Sequence, residues 1–203
     1  LRVGLVTSAG SAAEHDVLDQ LRASGFGFRV ARADVRVQGP AASRSVARGL
    51  RSMAARQVDV VLLVRGGGAT TDLAAFDSEP IARAIAGLDT VVLTGIGHDI
   101  DRSVADEVAH AAYKTPTACA QAVVDDVRAF ADRLTACGDD LAVAARRRVR
   151  GEADRLRAVG RHVAVATRHG LQSADRTLAA DGARLRRAGL GALTRSATVL
   201  ERA

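Results

Sequence analysis

Two short stretches carry residues whose types and order suit phosphate chemistry. Val60–Leu73 reads V-V-L-L-V-R-G-G-G-A-T-T-D-L, and Val91–Asp101 reads V-V-L-T-G-I-G-H-D-I-D. Each runs an apolar strand straight into glycines and then into ionisable side chains. Gly66, Gly67 and Gly68 let backbone N–H groups converge on one anion, as in a phosphate-binding nest. Arg65 adds a permanent planar cation that can grip phosphate oxygens with two donors. His98 can give or take a proton near neutral pH, and a carboxylate near it, such as Asp101, would fix its tautomer. A third run, Val3–Thr7, exits into T-S-A-G-S, with Ser8 among the phosphate-binding candidates, and then into a helix start bearing Glu14, His15 and Asp16. Together these residues read as a phosphate site with acid–base equipment.

Plainer readings stand beside that one. Glycines after a strand often do no more than turn the chain. The spacing matches neither G-x-G-x-x-G nor G-x-x-x-x-G-K-[ST], so the dinucleotide and P-loop fingerprints are missing. Asp99, Asp106 and Glu107 read as solvated or capping, and Asp72 as a helix cap. His110, His162 and His169 fall in stretches read as helical, and Arg146–Arg148 as a solvated helix face.

Positioning these residues requires a sheet. Short apolar runs near Val3–Thr7, Phe26–Val35, Val58–Val64 and Thr90–Thr94 alternate with helical patterns over Ala12–Ala23, Ser43–Ala55, a helix opened by Glu79-Pro80, and Arg102–Ala112. Val58–Val64 is continuous and apolar, the mark of a strand buried on both faces. Strand–helix alternation predicts a mostly parallel, Rossmann-like α/β sheet with right-handed crossovers. In such a sheet ligands bind outside the carboxyl ends of the strands, where all three exits would open.

The texture changes at Thr115-Pro116, with Thr117 or a neighbour as the expected N-cap. The two expected domains are residues 1–116, α/β, and residues 117–203, helical. In the second, Val123, Val127, Phe130, Leu134, Cys137, Leu141 and Ala144 recur at steps of four and three, the pattern of a coiled-coil seam. Such a stripe needs a partner. None is obvious within the chain unless Gly189–Gly191 makes a turn.

Composition limits the rest. The chain has 203 residues, 2% aromatics and no Trp, so its core must rest on Val, Leu, Ile and Ala. The net charge of +6 belongs wholly to residues 117–203, since residues 1–116 balance. A basic stripe attracts nucleic acid or an acidic partner and says no more than that. Cys119 and Cys137 fall in one expected helix, roughly 27 Å apart and beyond disulfide reach. Two unpaired thiols suit a reducing compartment. With no signal peptide and no membrane-length apolar run, the expectation is a soluble, cytoplasmic protein. The chain starts at Leu1, one residue before a strand, and reads as part of something longer.

V-R-G-G-G-A-T-T-D-L-A-A-F-D, G-I-G-H-D-I-D followed by D-E-V-A, and K-T-P-T-A-C-A-Q, in that order, resemble the large subunit of exodeoxyribonuclease VII. T-S-A-G-S-A-A-E-H-D-V-L at 7–18 and V-Q-G-P-A-A at 37–42 fit the same family. The likeness is strong over residues 1 to about 125 and weaker over the basic heptad region. It implies hydrolysis of single-stranded DNA to short oligonucleotides from either end, with no divalent metal and no cofactor. It places the family's functional residues on Asp16, Arg65, His98 and Asp101, and a small subunit along the coiled coil. Two departures stand out: Y-K-T-P-T occupies the place of an R-A-P-T-P-S-type segment, and G-H-D-I-D that of G-H-E-T-D. Two rivals remain open. One is a non-catalytic phosphate- or nucleic-acid-binding α/β module with a coiled-coil assembly arm, which would need Arg65 and the glycines but neither His98 nor Asp101. The other is a small-molecule enzyme on a Rossmann-like sheet.

Overall fold

The structure, a computed structural model, describes residues 1–66, 70–97 and 102–200, with the backbone alone at 70–72 and 192–200. It divides into two compact units, Leu1–Leu134 and Thr135–Ala203.

The first unit is built on a five-stranded sheet: β1 (Arg2–Thr7), β2 (Arg29–Asp34), β3 (Val60–Val64), β4 (Val91–Gly95) and β5 (Ala111–Ala112). The order is β2-β1-β3-β4-β5, and every neighbouring pair is parallel. Parallel pairing puts all the carboxyl ends on one edge. The chain passes from β1 outward to β2, then back across β1 to β3, so the topological switch point lies between β1 and β3.

Both faces are covered, which is why β3 carries five consecutive apolar residues, all buried. On one face α2 (Ala42–Ala54), α3 (Glu79–Ala86) and α4 (Val104–Val108) bury Val46, Leu50, Met53, Phe76 and Ile81. On the other lie α1 (Ala12–Ala23), with Val17 and Leu21, and the first turns of α5 (Pro116–Leu200), with Cys119, Ala120, Val123 and Val124. Each buried Val, Leu or Ile contributes about 1.5–3 kcal/mol relative to exposure, so this aromatic-poor core rests on its aliphatic number.

The alternation of strands and helices is as expected, with corrections at its end. The stretch Arg102–Ala112, expected as one helix, is α4 followed by β5. A capping box closes the start of α4: Ser103 Oγ accepts from Asp106 N, and the Asp106 carboxylate accepts from Ser103 N. His110 accordingly lies between α4 and β5, not in a helix, and its N–H donates to Val92 O. The cap of α5, expected at Thr117 or a neighbour, is Thr115, whose Oγ1 accepts from Ala118 N at 3.0 Å. The 3₁₀ turn at Thr70–Ala75 had no counterpart in the sequence reading.

In the second unit α5 is continuous through Gly151, Gly160, Gly170, Gly182 and Gly189–Gly191, so no helix returns there. Leu141, Val149, Leu156, Val163, Leu171 and Leu178 are exposed along it. Their mixed seven- and eight-residue steps hold the stripe to one side of the helix. Both cysteines lie in α5 and are free thiols, Cys119 buried and Cys137 exposed. Burial pushes the Cys119 thiol up to about 12. No helix among the described residues is long and apolar enough to cross a membrane.

Candidate active site

The β1 exit is tied down by its own side chains. Ser8 Oγ donates to Val35 O at 2.8 Å, anchoring the loop to the end of β2. Ala9 N donates to Asp34 Oδ1 at 2.8 Å, and Gly10 N to Glu14 Oε2 at 2.6 Å. Ser11 caps α1 by accepting from Glu14 N. Glu14 is buried beneath this loop, and its second oxygen pairs with Arg32 Nη1 at 3.2 Å. Two carboxylates therefore already occupy the amides that would otherwise favour an anion. The hydroxyl proton of Ser8 is engaged as well.

The next exit is that of β3. Arg65 N donates to Gly95 O at 3.2 Å, joining it to the end of β4. The Arg65 side chain is deeply set, the residue only 2% exposed. A guanidinium at that depth is stable only with charge or hydrogen-bond compensation. Gly66 passes against α1: a Cβ built on it would stand 3.6 Å from both the Cβ and the N of Ala13. Asp16, exposed, lies three residues beyond Ala13 on a neighbouring helix position. The backbone thus brings the Arg65–Gly66 exit onto the first turn of the helix that bears Asp16. Gly67 and Gly68 lie outside the described residues.

At the β4 exit the glycines have packing reasons. A Cβ on Gly95 would stand 2.9 Å from Cys119 Cβ and 3.0 Å from Thr115 O, so only glycine lets the start of α5 cross the strand end. Gly97 turns with φ +80°, against Lys114 O. His98 and Asp101 lie outside the described residues. Their flanks are anchored on both sides: Gly97 against the Lys114 backbone, and the Ser103–Asp106 capping box, from which Asp106 Oδ1 accepts from Thr94 Oγ1 at 2.5 Å. Val104 N adds a bond to Asp77 Oδ1 at 3.0 Å. Among the described residues no group of three His, Cys, Asp or Glu side chains is placed to hold a metal ion.

Sequence reasoning placed Glu14 at the β1 exit without its role there, and did not assign Arg32 and Asp34 to the edge of the sheet. The signal for Glu14 was present in S-A-A-E at 11–14, a capping pattern. For Asp34 it was an acid at the carboxyl end of a strand in a parallel sheet.

This chain resembles curated proteins named exodeoxyribonuclease 7 large subunit. It is 43% identical over 148 residues to that of Desulforudis audaxviator, 40% over 148 to that of Acidothermus cellulolyticus, and 38% over 148 to that of Ralstonia nicotianae. Each match covers 72% of this chain and 36%, 36% and 34% of the relative respectively, so the chain spans about a third of the length of those proteins. Among solved structures, a cobalamin-binding protein from Desulfitobacterium hafniense matches with a TM-score of 0.38 at 17% identity, covering 60% of this chain and 56% of that one, a likeness too slight to bear on fold or function. The sequence pattern that defines the exonuclease VII large subunit matches residues 1–203, and the chain belongs to that family.

Proposed function

We propose that this chain hydrolyses phosphodiester bonds of single-stranded DNA to short oligonucleotides, as the α/β and helical part of an exodeoxyribonuclease VII large subunit acting in DNA repair in the cytoplasm. The observation that carries the reading is the buried Arg65 at the β1/β3 switch point, on the edge where the β4 exit leads into G-H-D-I-D. Arg65 and the amides of Gly66–Gly68 neutralise the scissile phosphate as charge builds in the transition state. Without a divalent metal, those preorganised donors carry the electrostatic stabilisation. His98 acts as general acid or base, and Asp101 or Asp16 orients it or positions water. Ser8 keeps the β1 exit in place.

Residues 1–116 supply the chemistry and 117–203 the coiled-coil arm, whose first turns complete the core of the sheet. Farther along, the exposed Leu and Val stripe is the seat of the small subunit or of a second copy, because soluble proteins rarely leave a large apolar patch uncovered. The test is turnover of end-labelled single-stranded DNA in chelator by the protein with its small subunit. His98→Ala should slow it by about 10²–10⁴-fold. Equal rates would remove His98 from the reaction, and a requirement for added metal would remove the metal-free mechanism.

A further inference from the structure

The α1 face of the sheet holds two cavities that the proposed chemistry does not use. One, of about 350 Å³, lies between the C-terminal half of α1 and the start of β2, with Leu18, Arg22, Phe26, Phe28 and Arg32 in its wall. The other, of about 320 Å³, lies between β1, β2 and the first turn of α1, with Thr7, Ala9, Glu14, Arg32 and Asp34 in its wall. Arg32 stands in both walls, so the two cavities adjoin along the edge strand, a groove in two parts. At its upper end β1, which leads to Ala9, is one strand spacing, about 4.8 Å, from the strand that releases Arg65 and Gly66, and β2, which ends at Asp34, is two.

We infer that this groove receives the unpaired bases of the single-stranded DNA next to the bond to be cut, bases inward and phosphates outward; this rests on the nuclease reading above. Phe26 and Phe28, two of only four phenylalanines in the chain, meet edge to face at 6.0 Å and are half-buried in the lower end. Such rings offer a π-surface on which any base stacks. Arg22 and Arg32 are exposed along the rim, where a guanidinium meets a phosphate or stacks on a base.

The upper end decides the orientation. Asp34 and Glu14 each hold a loop amide, and Glu14 is also paired with Arg32; the acceptor positions left on the exposed Asp34 carboxylate repel a phosphate while accepting N–H groups from a base edge. Thr7 Oγ1, in a residue 3% exposed, has no hydrogen-bond partner among the described residues and sits at this same end. The six residues of β2 span roughly 20 Å, room for a few stretched nucleotides.

The experiment is steady-state cleavage of a labelled single-stranded oligonucleotide by the protein with its small subunit, comparing wild type, Phe28→Leu and Arg22→Gln. Leucine keeps the apolar packing and removes the ring; among the described residues the Arg22 side chain makes only an exposed pair with Asp19. Each substitution should raise KM about five- to tenfold with kcat unchanged, and neither should matter for a dinucleotide too short to reach the groove. Unchanged KM in both variants, with cleavage intact, would overturn the inference. So would a fall in kcat matched by a lower melting temperature, the mark of a packing role alone. No cleavage by wild type on any substrate would remove the nuclease reading, and the inference with it.

Discussion

Leu62 and Leu178 are the same side chain in opposite situations: the first 0% exposed at the centre of the sheet, the second 75% exposed on α5. Around Leu62, a strand flanked by β1 and β4 and covered by helices on both faces closes its own core. Around Leu178 the helix meets its backbone hydrogen bonds locally and leaves its apolar stripe open. One unit buries its own apolar residues, and the other leaves an apolar stripe exposed. Helix propensity alone stabilises little, and most helical stability in proteins comes from packing of the apolar face.

The sharpest way to break this contrast is truncation. Leu62→Ala should cost about 2–5 kcal/mol, a core cavity cost, while Leu178→Ala in the chain alone should stay within about 0.5 kcal/mol, as for a surface change. Chemical denaturation followed by circular dichroism reads both; equal costs would mean that α5 is already covered. Next comes Gly95→Ala, where the new Cβ meets Cys119 Cβ and Thr115 O. Overpacking there should cost about 1–3 kcal/mol, seen as a lower denaturation midpoint.

The two thiols sharpen the comparison further. Cys137 should react with a thiol reagent at once, and Cys119 only as the sheet unit opens. The folded unit holds the Cys119 proton up to about pH 12, whereas the unfolded chain releases it near the ordinary 9.0. Stability is therefore unaffected below about pH 9 and falls as pH rises from 9 to 12, by about 1.4 kcal/mol per unit. Cys119→Ala should flatten that alkaline slope, and Cys137→Ala should leave it unchanged.

The legible parts of the fold were those with a strong period. The five-residue apolar run of β3 announced burial on both faces, and the Val17, Leu21 face of α1 its helix. β5 was not legible because it is two alanines, and its place is set by Tyr113 N bonding to Thr94 O rather than by any pattern. Gly95 and Gly97 were legible as glycines at a strand exit, but their packing and turning roles were not, because those depend on where α5 crosses. Arg65 at a strand exit was legible by type and order. Its depth was not, because the burial of an arginine depends on elements far away in sequence. Nor did the acids near the β1 exit reveal that Glu14 and Asp34 would hold its amides, since that follows from β2 pairing beside β1.

The account rests most heavily on Arg65. Arg65→Lys keeps the charge and loses the two-donor fork, and the measurement is single-turnover cleavage of end-labelled single-stranded DNA by the protein with its small subunit. Cys119 protection, recorded on the same sample, reports whether the sheet unit is intact. The account predicts a cleavage rate about 10²–10³-fold below wild type with Cys119 still protected. A wild-type rate in that variant would contradict the placement of the scissile phosphate at the end of β3.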